Sequence, residues 1–209
     1  MEYIHDPKAI EARSFEIITE TLGQRDFTDQ EAKIIKRVIH TTADFEYADI
    51  LEISQGAVEI GLNEIKKGSN IITDTKMAYS GINKTVLEKF GGEVHCFISD
   101  EEVAHAAKMK GITRAMASMD VAVQNPKNKI FAIGNAPTAL FRLKELIEEG
   151  KAMPSLIIGV PVGFVNVVES KEAIKELGIP YIISNGRKGG STVAAAIVNA
   201  LLYMMGDKE

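Results

Sequence analysis

The sequence has little or none of several features that mark secreted proteins and membrane proteins. It contains one cysteine, Cys96, and no tryptophan among its 209 residues. A single cysteine cannot form a disulfide within the chain, which fits the reducing conditions of the cytoplasm. No run approaches the ~18 consecutive apolar residues of a membrane span, and the N-terminus lacks the basic head and apolar run of a signal peptide. The sequence therefore predicts a cytoplasmic protein with no membrane segment.

Strong charge and metal-ligand patterns are also missing. A formal net charge of −5 gives no general attraction for nucleic acid, so local groups would have to hold an anionic ligand. No His, Cys and carboxylate cluster has the spacing of a zinc site, and no G-x-S-x-G nucleophile elbow occurs. We therefore expect no metal, no nucleic-acid partner and no catalytic triad.

The chain does contain short apolar runs that alternate with helical patterns. Examples are "NIITD" before "NKTVLEKFGG", "KIFAIG" before "APTALFRLKELIEEG" and "PYIIS" before "TVAAAIVNALLYMMG". Repeated strand–helix units need crossover connections, which predicts an α/β fold: a mostly parallel sheet with helices on both faces, a Rossmann-like three-layer arrangement. Ligands are then expected at the carboxyl ends of the strands. No Pro-, Gly- or Ser-rich linker divides the chain, so we expect one domain over residues 1–209.

Two helices are predicted before the first strand, as an extension over residues 1–45. Asp6 before Pro7 has the pattern of a helix start, and Thr28 with Glu31 has the spacing of a capping box. On the first helix an apolar stripe is interrupted by Ser14, whose hydroxyl needs a backbone carbonyl or a ligand as partner. The apolar members of that stripe are Ile10, Ile17 and Ile18.

A polar face is predicted on the second helix. Arg37, His40 and Thr41 are three and four residues apart, so they share one side of the helix. The other side is apolar, with Ile34, Val38 and Ile39. His40 lies at the carboxyl end of the helix, where the macrodipole stabilises a cation, and a histidine there could act as a general acid near neutral pH. An exposed histidine that completes the helix end is the alternative.

The loop "GRKGG", residues 186–190, has features of an anion site. Its glycines permit close backbone approach, Arg187 and Lys188 add positive charge, and a helix is predicted to begin at about Ser191. A P-loop needs Lys directly before Ser or Thr, whereas Gly190 precedes Ser191, and G-x-G-x-x-G is also absent. These two mismatches disfavour a nucleotide phosphate as the ligand of the loop. The remaining alternatives are a bound carboxylate and a simple solvated turn.

Two other strand-to-helix or loop-to-helix junctions carry polar residues. In "GITRAMASMD", Arg114 follows Thr113 at a junction from which its guanidinium could reach a cleft. In "AIGNAPTAL", Asn135 is predicted to cap the next helix, with Pro137 in the first turn. A purely structural role is the alternative for each.

Taken together, these segments resemble the precorrin-8X / cobalt-precorrin-8 methylmutase family of cobalamin biosynthesis. The resemblance covers nearly the whole chain in order and includes "RVIHTTADFEYAD", "GITRAMA", "GNAPTAL", "PVGFV" and "GRKGGS". It implies an isomerase that moves a methyl group from carbon 11 to carbon 12 at ring C of a corrin precursor, giving hydrogenobyrinate or cobyrinate. It also implies a homodimer with shared active sites and chemistry that needs no cofactor.

The resemblance further implies roles for particular residues. The histidine of its R-x-I-H segment, here His40, lies next to ring C and is the expected proton donor and acceptor. The expected contacts to the substrate carboxylates are Ser14, Arg37 and Arg114, followed by Arg13, Thr41, Arg187 and Lys188. Whether the tetrapyrrole carries cobalt stays open. A tetrapyrrole carrier without catalysis and a nucleotide-binding regulator are the competing hypotheses.

Overall fold

Six strands form a single sheet in the computed structural model, which describes residues 3–206. They are β1 (Leu51–Ile53), β2 (Asn70–Thr73), β3 (Val94–His95), β4 (Asn128–Ile133), β5 (Leu156–Gly159) and β6 (Tyr181–Ser184). Their order across the sheet is β1-β6-β5-β4-β2-β3. All neighbouring pairs are parallel except β1 with β6, which run antiparallel with Leu51 opposite Ser184.

Helices cover both faces of this sheet. One face carries α1 (Pro7–Leu22), α2 (Asp29–Thr42), α3 (Tyr47–Ile50), α4 (Ala57–Lys66), α5 (Lys76–Gly81), α6 (Lys84–Glu88) and α11 (Ser191–Gly206). The other carries α8 (Arg114–Ala122), α9 (Pro137–Glu148) and α10 (Val167–Lys175), with α7 (Glu101–Lys110) packed beside α8. The predicted α/β fold, with a mostly parallel sheet between helical layers, is confirmed. The antiparallel edge strand was not predicted.

The two N-terminal helices begin where the sequence indicates. The Asp6 carboxylate accepts a hydrogen bond from the Ala9 amide at 2.7 Å, and Thr28 and Glu31 form the reciprocal capping box. The predicted buried face of α2 is confirmed, since Ile34, Val38 and Ile39 are at most 1% exposed. The helix ends at Thr42, just beyond the expected position, because Ala43 takes the left-handed conformation and caps it.

The predicted apolar stripe of α1 is only partly buried. Ile18 is 7% exposed, but Ile10 and Ile17 are 45% and 46% exposed. The physical reason is the position of α1, which packs against α2 as an outer helix. The stripe therefore leaves apolar side chains on the surface of the chain.

Loops that follow β2, β4, β5 and β6 meet at the carboxyl edge of the sheet. A Cβ atom at Gly134 would lie 2.7 Å from the Ser191 Cα, and one at Gly189 would lie 2.1 Å from the Val160 carbonyl oxygen. Only glycine permits such approaches of backbone to backbone. The start of α11 and the 186–190 loop are thereby packed onto the ends of β4 and β5.

Two kinds of feature are absent from residues 3–206. No group of three or more His, Cys, Asp or Glu side chains within residues 3–206 is placed to hold a metal ion. In the same part of the chain, no helix is long and apolar enough to cross a membrane.

A carboxylate joins the antiparallel strand to the rest of the sheet. Glu52 accepts hydrogen bonds from the Tyr181 hydroxyl at 2.5 Å, the Lys175 ammonium at 2.8 Å and the Asn185 amide at 3.0 Å. Burial by itself raises the pKa of Glu52, but these hydrogen bonds outweigh it and lower the pKa to about 2. Because the pKa is depressed in the folded state, the stabilisation is present above the ordinary carboxyl pKa and is lost as the pH falls towards 2.

We predict that Glu52→Gln lowers the free energy of unfolding at pH 7 by about 1 kcal/mol. The effect is small because the carboxylate is partly exposed and solvent screens its charge. The difference from the parent should shrink between pH 5 and pH 3, measured by urea unfolding. Glu59→Gln, on the exposed side of α4, is the control and should change little. A pH-independent difference for Glu52→Gln would contradict the prediction.

Candidate active site

His40 is the central residue of the candidate active site. It lies in the last turn of α2, and its imidazole is exposed. Its ring stacks on the Phe15 ring of α1, with the ring centroids 5.1 Å apart and the planes 13° from parallel. The stack orients the imidazole while its exposed side faces solvent.

Arg37 lies one turn earlier on α2 and is held by aromatic rings from two other helices. Its guanidinium carbon is 4.8 Å from the centroid of the Phe15 ring and 5.0 Å from that of Tyr203 on α11. Such cation–π contacts contribute ~0.5–1 kcal/mol each at exposed sites. The Nη1 atom also donates to the Glu11 carboxylate at 2.8 Å. Arg37 therefore joins α1, α2 and α11 beside His40.

The remaining predicted residues of α1 and α2 form hydrogen bonds within their own helices. Thr41 donates its hydroxyl hydrogen bond to the Arg37 carbonyl at 2.9 Å. Ser14 donates to the Ile10 carbonyl at 3.0 Å, so a backbone carbonyl partners its hydroxyl, as one of the two expected alternatives. Arg13 donates to Glu16 at 3.0 Å, and its side chain is 50% exposed. Thr41 therefore lies on the same face of α2 as Arg37, whereas Arg13, two positions from Phe15 on α1, points away from the face that contacts His40.

A cleft of about 250 Å³ opens beside Arg37 and Thr41, between α2, α5 and α11. We call it the α2–α11 cleft; its other lining residues are Met77, Gly81, Thr192, Ala195, Ala196, Asn199 and Tyr203. Small and apolar side chains form most of this lining, with hydroxyl and amide groups among them. The combination suits a ligand that has an apolar body and polar substituents.

The basic loop is connected to the segment that follows His40. The Lys188 ammonium contacts the Asp44 carboxylate at 2.6 Å and the Glu46 carboxylate at 2.7 Å. The hydrogen bond from Lys188 lowers the pKa of Asp44, and both carboxylates raise the pKa of Lys188. Arg187 is exposed, with its guanidinium carbon 5.7 Å from the Phe164 ring centroid. Lys188 therefore bridges two segments, while Arg187 faces outward.

Arg114 lies apart from the other predicted residues. It is the exposed first residue of α8, on the opposite face of the sheet from α2. Thr113 caps this helix by accepting the Met116 amide at 3.2 Å, and its hydroxyl is 3.0 Å from that of Thr138 on α9. Arg114 is thus held near the start of α9, and no contact joins it to His40 within residues 3–206.

Sequence reasoning missed Asp74, which organises the carboxyl edge. This residue follows β2 directly and is 1% exposed. Its carboxylate accepts the backbone amides of Gly134, Asn135 and Ala136 at 2.9, 2.8 and 2.7 Å. Burial raises the pKa of Asp74, and the three amide hydrogen bonds act in the opposite direction. From the loop after the neighbouring strand β2, the carboxylate does for α9 what an N-cap side chain does.

The predicted capping role of Asn135 is wrong. The N-cap of α9 is Ala136, which has no side-chain hydrogen bond to offer, and Asn135 is exposed. The reason is that the Asp74 carboxylate already occupies the amide groups of this turn. The sequence does contain one sign of the role of Asp74, which directly follows the apolar run "NIIT". A buried carboxylate at that position needs hydrogen-bond donors, because burying it without them is unfavourable.

We predict that Asp74→Asn lowers the free energy of unfolding by about 2–3 kcal/mol, since its amide group would turn a donor towards backbone donors. The Asp74→Ala change should cost at least as much, because it leaves buried amides unpaired. Asp100→Asn is the control, since Asp100 precedes α7 without a side-chain cap, and it should stay within about 0.5 kcal/mol of the parent. Equal effects at both positions in urea unfolding would contradict this account.

Comparison with known proteins agrees with the fold. A family model described as Precorrin-8X methylmutase matches residues 9–204. The chain belongs to the precorrin-8X methylmutase family. It is therefore an enzyme, an isomerase of the methylmutase type in cobalamin biosynthesis, and the resemblance found in the sequence is confirmed.

Three related methylmutases match this chain over nearly their whole length. The Cobalt-precorrin-8 methylmutase of Salmonella typhimurium is 51% identical, with 97% of this chain and 98% of that protein covered. The Precorrin-8X methylmutase of Pseudomonas aeruginosa is 36% identical, covering 96% and 97%. A crystal structure of the precorrin-8x methyl mutase from Thermus thermophilus superposes with a TM-score of 0.88 at 42% identity, covering 96% of this chain and 97% of that one.

Proposed function

We propose that this methylmutase moves a methyl group from carbon 11 to carbon 12 at ring C of precorrin-8X or cobalt-precorrin-8, giving hydrogenobyrinate or cobyrinate. The observation that carries the proposal is the position of His40. It is exposed at the end of α2, oriented by the Phe15 ring, with Arg37 and Thr41 on the same helix face. A proton donor thus lies next to groups that can bind a carboxylate.

In the proposed reaction, the methyl group migrates by a 1,5-sigmatropic shift along the conjugated ring. The bond from the methyl group to carbon 11 breaks as the bond to carbon 12 forms, so atoms and electrons balance without an external reactant. His40 lends a proton to the ring C nitrogen, which favours the reactive tautomer, and takes a proton back after the shift. General acid–base assistance of this kind is typically worth ~100–10,000-fold in rate.

The rim of acetate and propionate groups on the substrate would bind to the basic and hydroxyl side chains. Arg37 is suited to this role because its partner Glu11 is 50% exposed, so a substrate carboxylate can replace that ion pair at modest cost. Ser14 and Arg13 from α1 and Thr41 from α2 would add hydrogen bonds. Arg187 would contribute from the basic loop, and Lys188 would do so if the substrate displaced Asp44 or Glu46.

We also propose that the enzyme acts as a homodimer with shared active sites. The α2–α11 cleft, at about 250 Å³, is below the ~300–1,000 Å³ of typical ligand pockets, so a second surface would have to complete a tetrapyrrole site. Arg114 lies on the opposite face of the sheet from His40 and would reach the substrate bound to the other subunit. The exposed Ile10 and Ile17 of α1 offer apolar area for the contact.

We predict that His40→Ala lowers kcat at least about 100-fold, with a smaller change in KM, because the variant loses the proton donor and keeps the carboxylate contacts. Conversion is followed by absorption spectroscopy with precorrin-8X and with cobalt-precorrin-8 in separate reactions. His105→Ala, an exposed histidine of α7, is the control and should keep the parent rate.

The same measurement separates the competing outcomes. A His40→Ala variant that converts substrate at the parent rate would sink the proposed mechanism. A parent protein that changes the absorption spectrum on binding but forms no corrin product would instead be a tetrapyrrole carrier. The substrate that the parent converts faster identifies whether cobalt is present at this step.

A further inference from the structure

Lys171 is a buried charge that the proposed reaction does not use. It lies within α10, and its side chain is fully buried at 0% exposure. Its ammonium donates hydrogen bonds to the carbonyl oxygens of Gly186 at 2.8 Å and Lys188 at 2.9 Å. No carboxylate within residues 3–206 pairs with it, and burial lowers the pKa of Lys171 to about 8. Burying an ammonium group is costly unless its hydrogen bonds are satisfied.

The hydrogen bonds of Lys171 belong to a larger set that fixes the same loop from the inside. The Arg187 carbonyl accepts from the Gly163 amide at 3.1 Å, and the Lys188 carbonyl also accepts from the Ser184 hydroxyl at 2.8 Å. The Gly190 amide donates to the Val160 carbonyl at 2.8 Å. Three successive carbonyls, those of residues 186, 187 and 188, thus accept hydrogen bonds from other parts of the protein.

The side chains of the loop point the other way. Arg187 and Lys188 are both exposed, and Lys188 ends on Asp44 and Glu46. Lys171 is the only cation that donates to the carbonyls of residues 186–188 among the described residues. Its two hydrogen bonds span the loop, so they fix where the two basic side chains leave the backbone.

We propose that Lys171 is a positioning residue for substrate binding. It holds the backbone of residues 186–188 so that Arg187 is presented to a carboxylate of the tetrapyrrole and Lys188 reaches the segment after His40. Lys171 itself does not touch the substrate. The part of this inference that concerns the substrate rests on the proposed function, whereas the part that concerns the loop does not.

The kinetic test compares two lysine-to-methionine variants. Lys171→Met keeps an unbranched apolar stem in the buried site and removes the two hydrogen bonds. Lys129→Met is the matched control. The Lys129 ammonium also donates to a carbonyl, that of Met153 at 3.0 Å, but it lies at the amino end of β4, away from the 186–190 loop. With whichever tetrapyrrole the parent converts, Lys171→Met should raise KM about 10-fold and leave kcat within about twofold, because ground-state binding is lost and His40 is untouched. Lys129→Met should change neither.

A second measurement does not depend on activity. Hydrogen exchange read by mass spectrometry should show the amides of Gly163 and Gly190 exchanging at least about 10-fold faster in Lys171→Met, since the loop that they hold opens locally. The same amides should exchange at the parent rate in Lys129→Met. Unchanged exchange and unchanged KM would overturn the proposal, as would equal changes in both variants. Faster exchange with an unchanged KM would overturn the role in substrate binding.

Two complications have defined readings. If Lys171→Met does not fold, Ser184→Ala is measured instead, because that change removes the other donor to the Lys188 carbonyl. A rise in KM of about threefold together with faster exchange supports the proposal. Unchanged KM and unchanged exchange overturn the proposal. If the parent converts neither tetrapyrrole, the proposed function fails. The exchange measurement then still decides whether Lys171 holds the loop.

Discussion

The Asp74 carboxylate is the interaction on which the carboxyl edge of the sheet depends. By accepting three consecutive amides, it fixes the turn between β4 and α9. Gly134 in that turn then lies close enough to Ser191 to exclude any side chain, which sets the start of α11. Because α2 packs along α11, the buried carboxylate that follows β2 also contributes to the placement of the helix that carries His40.

Local patterns were sufficient to predict much of the fold. The alternation of strands and helices, the caps at Asp6 and Thr28, and the buried face of α2 are all set by residues a few positions apart. The antiparallel strand β1 was not predictable in this way. Its direction depends on the packing of α2 and α3 and on hydrogen bonds from β6, and a three-residue run carries no sign of either.

In the candidate site, too, local spacing was predictable and long-range contacts were not. The spacing of Arg37, His40 and Thr41 predicted a shared helix face, and the structure has it. Other features of the site depend on distant parts of the chain. They are the Phe15 ring that orients His40, the carboxylates that hold Lys188 and the burial of Lys171. Asn135 shows the limit most clearly, because its sequence context is that of a cap, whereas the Asp74 carboxylate, from the loop after β2, takes the role. Long-range partners of polar groups leave little trace in local sequence.

The rings on either side of Arg37 come from Phe15 and Tyr203, on the first and the last helix of the fold. The guanidinium is therefore enclosed only after residue 203 has left the ribosome, although its own helix is among the first parts to be synthesised. Contacts this far apart in sequence form late, because the entropy of closing the long loop has to be offset first. In a nascent chain Arg37 would thus lack its contact with Tyr203 until α11 is in place, and the α2–α11 cleft would form in the last stage of folding.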